Sequence, residues 1–453
     1  VSALRWPGRA RRAGGSGRIG TPARRPMGLL RITLVLGALE AFGPLSMDLY
    51  LPQLPQLART LGTTDALGQA TMSVCMIGLG IGQLVAGPLS DRFGRKRPLV
   101  IGVVLFALLS AACAFAPTIE LLLVARFLQG LAGAAGVVIS MAVARDLFHG
   151  IELSRMLSLL ALVSSVTPII APVIGGQLAR VMDWRGIFLV LACVGAVLVA
   201  VAQLGLRETL HDGRHAGGVL RTTASHVSAV LRDPLFVAIM IAGCLSGTAF
   251  FSYLSMSSFV LQGEYGLTPQ LFSAVFAANA LMQLGGAQIS RLLVRRVGTA
   301  RMYLAGQSAG ALAALVLLGC ALLGAHAAIV IGALAVFLGA AGLGGPNGST
   351  LALSGHGSRA GTASALLGMA MFTAGAVVAP LISALAGTSA TTMAAAIASG
   401  AVLSMLIARI AVRRVLPHPT APTSSTSPID ARPRAPQPES PAAQPPPQQG
   451  TPT

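Results

Sequence analysis

Stretches of about 18 or more residues with almost no charge recur along the whole chain, separated by short breaks that hold arginines, prolines and glycines. A run of that length makes a helix as long as the bilayer hydrocarbon core is thick, and it lacks the polar face a soluble surface helix needs. Composition agrees: 54% of the 453 residues are hydrophobic and 10% charged, with mean hydropathy +0.75. That leaves too little polar surface for a soluble protein of this size. The chain reads as an all-α polytopic membrane protein with twelve spans, at about 29–51, 67–89, 98–117, 119–141, 154–180, 186–206, 235–262, 269–290, 302–324, 326–350, 361–387 and 389–412.

The net charge of +18 could suggest nucleic acid, but its distribution points to topology and excludes that partner. Seven arginines precede Met27. Alternate loops carry fifteen cations: Arg92, Arg95, Lys96, Arg97, Arg145, Arg155, Arg207, Arg214, Arg221, Arg232, Arg291, Arg295, Arg296, Arg301 and Arg359. The opposite loops carry Arg59, Arg180 and Arg185. Positive loops stay inside, so both termini are expected in the cytoplasm and the protein in the inner membrane.

The polar stretch around 207–234 divides the spans six and six, giving halves at 29–206 and 235–412 joined by a cytoplasmic linker. A weak repeat relates them. Gly286–Arg301 repeats Gly82–Arg97, with Gly286 matching Gly82, Gly298 matching Gly94, and Arg295 standing where the first copy has Asp91. Residues 1–28 are Arg- and Gly-rich, either a basic arm or a stretch ahead of a true start at Met27. Residues 413–453 are Pro-rich with nothing to bury, so they are expected to be disordered. The cysteines, Cys75, Cys113, Cys193, Cys244 and Cys320, each fall in a span without metal-like spacing, and no metal or cofactor is expected.

The segment GQLVAGPLSDRFGRKR, Gly82–Arg97, combines a small-residue helix end (Gly82, Gly87) with a turn (Asp91, Arg92, Gly94, Arg95) that sets one carboxylate among four cations. Glycines let helices approach closely, and the charges suit a clasp between two bundles. The string resembles the loop between spans two and three of major facilitator superfamily transporters. The resemblance implies two six-helix halves that rock about a central cavity, with Asp91 and its arginines latching the outward-facing state. LSMDLYLPQLPQLA (Leu45–Ala58), SFVLQGEYGLTPQLF (Ser258–Phe272), GPNGSTLAL (Gly345–Leu353) and AGTASALLG (Ala360–Gly368) resemble the bicyclomycin and chloramphenicol resistance (Bcr/CflA) subfamily over residues 30 to 412.

Glu40 and Asp48 are the acids within the body of a span, both in the first. A charged side chain at the bilayer centre costs roughly 2.5–3.5 kcal/mol even on the lenient insertion scale, so such residues are functional by default; a structural polar pair is the alternative. Eight residues is about 12 Å of rise and about 80° beyond two turns, so the acids flank one side at different depths. Pro44 removes the donor to the carbonyl of residue 40 and kinks the helix beside Glu40. Arg126 is the cation well inside a span, at a depth between the two acids, and must hold a partner. Its segment resembles the fourth-span motif that the superfamily implicates in proton coupling.

TPIIAPVIGG, Thr167–Gly176, carries Pro168, Pro172, Gly175 and Gly176 and resembles the exporters' antiporter motif, with Thr167 and Ala171 where Gly is usual. Asn279 and Gln283 in span eight and Asn347 in span ten are candidates for the substrate cavity; inter-helix hydrogen bonding is the alternative for the first two. GxxxxGK[ST] is absent, so energy is expected from an ion gradient, and without a cage of acids protons suit better than sodium. The reading is a non-enzymatic, monomeric, proton-coupled exporter of drug-like small molecules, with the lipid bilayer as its other partner. A metabolite transporter of the same fold and a non-transporting membrane sensor are the alternatives.

Overall fold

The computed structural model describes residues 29–210 and 219–413; the expected arm 1–28, the linker stretch 211–218 and the tail beyond Arg413 lie outside the described residues. Twelve long helices dominate: α1 Leu29–Asp48, α2 Asp65–Phe93, α3 Lys96–Ala114, α4 Ile119–Leu147, α5 Gly150–Leu178, α6 Trp184–Gly205, α7 Pro234–Phe259, α8 Pro269–Val297, α9 Thr299–Leu322, α10 Ala327–Leu353, α11 Ala360–Ala386 and α12 Ala390–Arg413. Eleven are long and apolar enough to cross a membrane; α8 falls short because Asn279, Gln283, Gln288 and three arginines dilute it. Side chains of Thr64, Asp183, Asp233 and Thr268 cap α2, α6, α7 and α8 by accepting from their first-turn amides.

Packing repeats with a shift of six helices. In the first half α2 packs on α4, α3 on α4 and α6, and α1 on α4 and α5; in the second, α8 packs on α10, α9 on α10 and α12, and α7 on α10 and α11. Glycine permits the closest approaches in both copies. A Cβ at Gly82 would overlap the Leu131 carbonyl of α4, and one at Gly286 would overlap the Gly339 carbonyl of α10. The repeated turn is also the same in the backbone: Gly94 has φ 88°, ψ 163° and Gly298 φ 87°, ψ 149°, a region open to glycine almost alone.

The halves meet through α2 against α11 and α5 against α8. The hydrogen bonds joining them lie at the end away from the arginine-rich loops. Gln69 donates to Ser383 (2.9 Å) and Thr388 (3.1 Å), Ser258 to the Leu51 carbonyl (2.7 Å), Gln262 to that of Pro52 (3.0 Å), and Gln270 to that of Gly176 (3.0 Å). The apolar core divides likewise. One cluster mixes Met47, Leu51, Met72, Cys75 and Met76 of the first half with Phe251, Tyr253, Phe272 and Phe276 of the second. At the basic end, a separate cluster around Phe236, Tyr303 and Leu367 contains second-half residues and Val230 alone. The halves are thus sealed at the far end, and the charged groups of the basic end pair within their own half.

The linker is not wholly irregular. Val219–Leu231 forms a helix that packs on α7 and α11 through Val230, which is fully buried. All five cysteines are free thiols.

Candidate substrate and proton site

Both acids of α1 are buried, Glu40 3% and Asp48 6% exposed. Pro44 lies inside the helix between them. Ser164 of α5 donates to one Glu40 oxygen at 3.0 Å, while the other, Oε2, is buried with no hydrogen-bond partner among the described residues. Among the described residues no ion pair reaches either acid. Asp48 ends α1 and lines a cavity of about 240 Å³ between the halves, with Pro44, Met47, Met72, Met76, Ser164 and Pro168 on one side. Phe250, Phe251, Tyr253, Phe276, Gln283 and Phe372 form the other side. Thioethers and aromatic rings make an adaptable apolar wall, and Asp48 is its one acid.

Arg126 does not join them. It is fully buried, yet it bonds neutral oxygens: Gln129 Oε1 at 2.6 Å and the carbonyls of Ser46 and Thr71, both at 3.3 Å. The rings of Tyr50 and Phe188 lie 4.6 and 5.4 Å from it, a cation–π cradle that replaces a counter-ion. Its Nη2 has no hydrogen-bond partner among the described residues. The reason is azimuth. At 100° per residue Ser46 falls about 120–160° around α1 from the two acids, and Tyr50 lies just past the helix, so Arg126 has the right depth but the opposite face.

The cavity candidates also separate. Gln283 lines the cavity, whereas Asn279 stands behind it, donating to the Tyr253 hydroxyl at 3.1 Å. Asn347 binds Ser290 (2.6 Å) and the Leu343 carbonyl (2.9 Å) inside the second half and does not line the cavity. Asn279 stands one position before Ala280, which lines the cavity, and Asn347 is nine residues along α10 from Leu338, the residue of that helix on the cavity wall. Sequence reasoning missed Ser164, although its place one turn before Pro168 sets both on one face of α5. It also missed the aromatic wall, since phenylalanines at helical spacing look like any core.

Of the α5 motif, Pro168 lines the cavity, Pro172 lies buried inside the helix, and the glycine pair closes the far end. A Cβ on Gly175 would overlap the Leu49 carbonyl of the first half, and one on Gly176 would overlap Ser273 of α8 in the second. Gly175 therefore sets the distance between α5 and α1, and Gly176 the distance between the halves.

At the basic end Arg95 donates to Asp91 (2.5 Å), Ser90 (2.8 Å) and Asp146 of α4 (2.8 Å). Burial opposes its charge, but Asp146 and Asp91 outweigh that and raise its pKa. Arg92 lies over Phe93, its guanidinium 5.2 Å from the ring, and Gly87 meets Val138 of α4. Asp91, 52% exposed, takes its cation from its own loop; the expected neutralisation across the halves is not made in this conformation, because the halves are joined at the other end. Sequence reasoning also missed Glu208, just past α6. Its carboxylate accepts from the amides of Arg95 (2.7 Å), Lys96 (3.2 Å), Thr209 (3.1 Å) and Leu210 (3.2 Å). Partial burial opposes that charge, but the amide donors hold its pKa below the usual carboxylate value. An acid just after a span gives no sequence signal of this role.

A proline-containing, acid-bearing first helix at an inter-half cavity, in a six-plus-six repeat, is a transporter's architecture, and comparison decides the family. The Major Facilitator Superfamily family model matches residues 36–380. The chain belongs to the Major Facilitator Superfamily. It is 36% identical to the MFS-type transporter YdgK of Bacillus subtilis, over 78% of this chain and 88% of that one. It is 31% identical to the multidrug resistance protein MdtL of Shewanella oneidensis (76% and 86%), and 29% identical to a bicyclomycin resistance protein homolog of Haemophilus influenzae (82% and 94%). The fold matches the nucleoside transporter NupG, with TM-score 0.71 and 13% identity over 84% of this chain and 99% of that one. It also matches the E. coli xylose transporter XylE in a partially occluded inward open form, with TM-score 0.66 and 15% identity over 87% and 99%. As a superfamily member the chain is a multi-pass membrane transporter of small molecules and not an enzyme.

Proposed function

We propose that this superfamily member exports drug-like compounds in exchange for protons, acting as a monomer in the inner membrane with its basic loops and both termini in the cytoplasm. The observation that carries the reading is the state of the α1 acids: two buried carboxylates without an ion-pair partner among the described residues, one of them on the wall of an aromatic and Met-rich cavity. Such carboxylates are costly when charged, so each is a place where a proton or a substrate binds. If a site holds one or the other but not both, substrate entry expels a proton, and exchange follows from exclusion. With the basic end inward, the far-end seal corresponds to an inward-facing state, and the Asp91 loop would latch the halves when they rock to the outward-facing one.

The test is transport in everted vesicles from a strain lacking its own exporters, using compounds chosen by a drug-susceptibility panel. Export by exchange predicts that acidifying the vesicle interior drives compound inward. Driving by the opposite gradient would indicate proton symport and metabolite uptake, and no change for any compound in the panel would indicate a sensor.

A further inference from the structure

We propose that the groove between α2 and α3 at the basic end is a binding site for one anionic phospholipid, with an acyl chain in the groove and the phosphate on Arg92 and Arg97. Two adjoining surfaces carry the inference. The first is a groove of about 390 Å³ lined by Gly82, Val85, Leu89 and Phe93 of α2, Ile101 and Leu105 of α3, and a floor of α4. Val85, Leu89, Phe93, Ile101 and Leu105 are 51%, 43%, 52%, 59% and 46% exposed, so this apolar trough is open. Arg97 stands at its mouth.

The second surface is a shallow polar basin that shares Phe93, Arg97 and Ile101 with the groove and adds Arg92, Lys96, Gln203 and Glu208. Its cations outnumber its acids three to one. The single carboxylate, Glu208, is engaged by backbone amides, and Lys96 donates to the Gln203 carbonyl at 2.7 Å. Arg92 and Arg97 are exposed, and among the described residues no hydrogen bond or ion pair holds either. An apolar trough that opens beside two uncompensated guanidinium groups at a span's end matches the chemistry of a phospholipid: chain in hydrocarbon, phosphodiester at the interface. A zwitterionic lipid would bring its own ammonium to the same basin, so the charge favours an anionic headgroup.

Native mass spectrometry of the purified full chain in detergent, titrated with phosphatidylglycerol or with phosphatidylcholine of the same acyl chains, tests this. Expected is a single phosphatidylglycerol adduct binding at least tenfold tighter than phosphatidylcholine. Arg92→Gln with Arg97→Gln, on the exposed rim, should erase that preference. Val85→Trp should fill the trough and weaken both lipids, in protein that remains monodisperse. Soluble glycerol phosphate should fail to compete. Equal binding of the two lipids, or an unchanged preference in the arginine variant, would overturn the site; full competition by glycerol phosphate, or unaltered binding to Val85→Trp, would overturn the acyl-chain half of it.

Discussion

The turn after α2 and the turn after α8 have nearly the same backbone and quite different chemistry. Gly94 and Gly298 adopt the same rare conformation, and Gly82 and Gly286 each bring a helix pair into backbone contact. Yet the first turn holds Asp91, Arg95, Asp146 and Glu208 in one bonded network, while the second has Arg295 in place of the acid. The second copy folds without that bonded network. The glycines are therefore what the fold needs, and the charges of the first turn are free to serve movement between the halves.

The largest effect should be common to both copies. Gly82→Val and Gly286→Val each force a side chain into a facing backbone carbonyl, and overpacking of this kind costs about 1–3 kcal/mol or more. Both variants should lose most of their monodisperse yield in detergent. If only one did so, the equivalence of the copies would fail.

The charge substitutions should separate the copies. Asp91→Asn is expected to lower turnover about tenfold or more at equal expression while insertion and substrate binding persist, whereas Arg295→Gln changes turnover little. Normal turnover of Asp91→Asn would count decisively against the latch. Glu208→Gln should have a smaller effect, loosening the Asp91 turn by about 1 kcal/mol through loss of a charged acceptor. Because its folded pKa lies below the ordinary value, Glu208 stabilises the turn above the unfolded carboxylate range, and that contribution disappears as pH falls through the folded value. Thermal melts across that range should show an acid-side loss in the wild type that is smaller in the variant.

Much of this was legible in the chain. The spans follow from apolar length, the repeat from Gly82 and Gly286, and the choice of Glu40 and Asp48 as candidates from the cost of burying acids. What was not legible depends on rotation about helix axes. Rise alone gave Arg126 a depth between the acids, but helical phase puts its contact Ser46 on the other face of α1, and Tyr50 lies just past that helix. Asn279 was hidden in the same way, because one position of phase separates it from Ala280 on the cavity wall, while Asn347 bonds within the second half. Glu208 depended on tertiary proximity of an inter-half linker to a loop more than a hundred residues earlier, which no local pattern encodes. The weak hydropathy of α8 has a simpler cause, its arginines and amides.

The central claim is that the first half carries the proton, on Glu40 and Asp48, while the second half contributes the aromatic side of the cavity. Proton release on adding drug to the unbuffered purified protein tests it most directly, comparing the wild type with Glu40→Gln combined with Asp48→Asn. The wild type should release protons on binding and bind more weakly as pH falls; the double variant should release none and bind with a flat pH dependence, the single variants lying between. Undiminished release from the double variant would remove both acids from the mechanism.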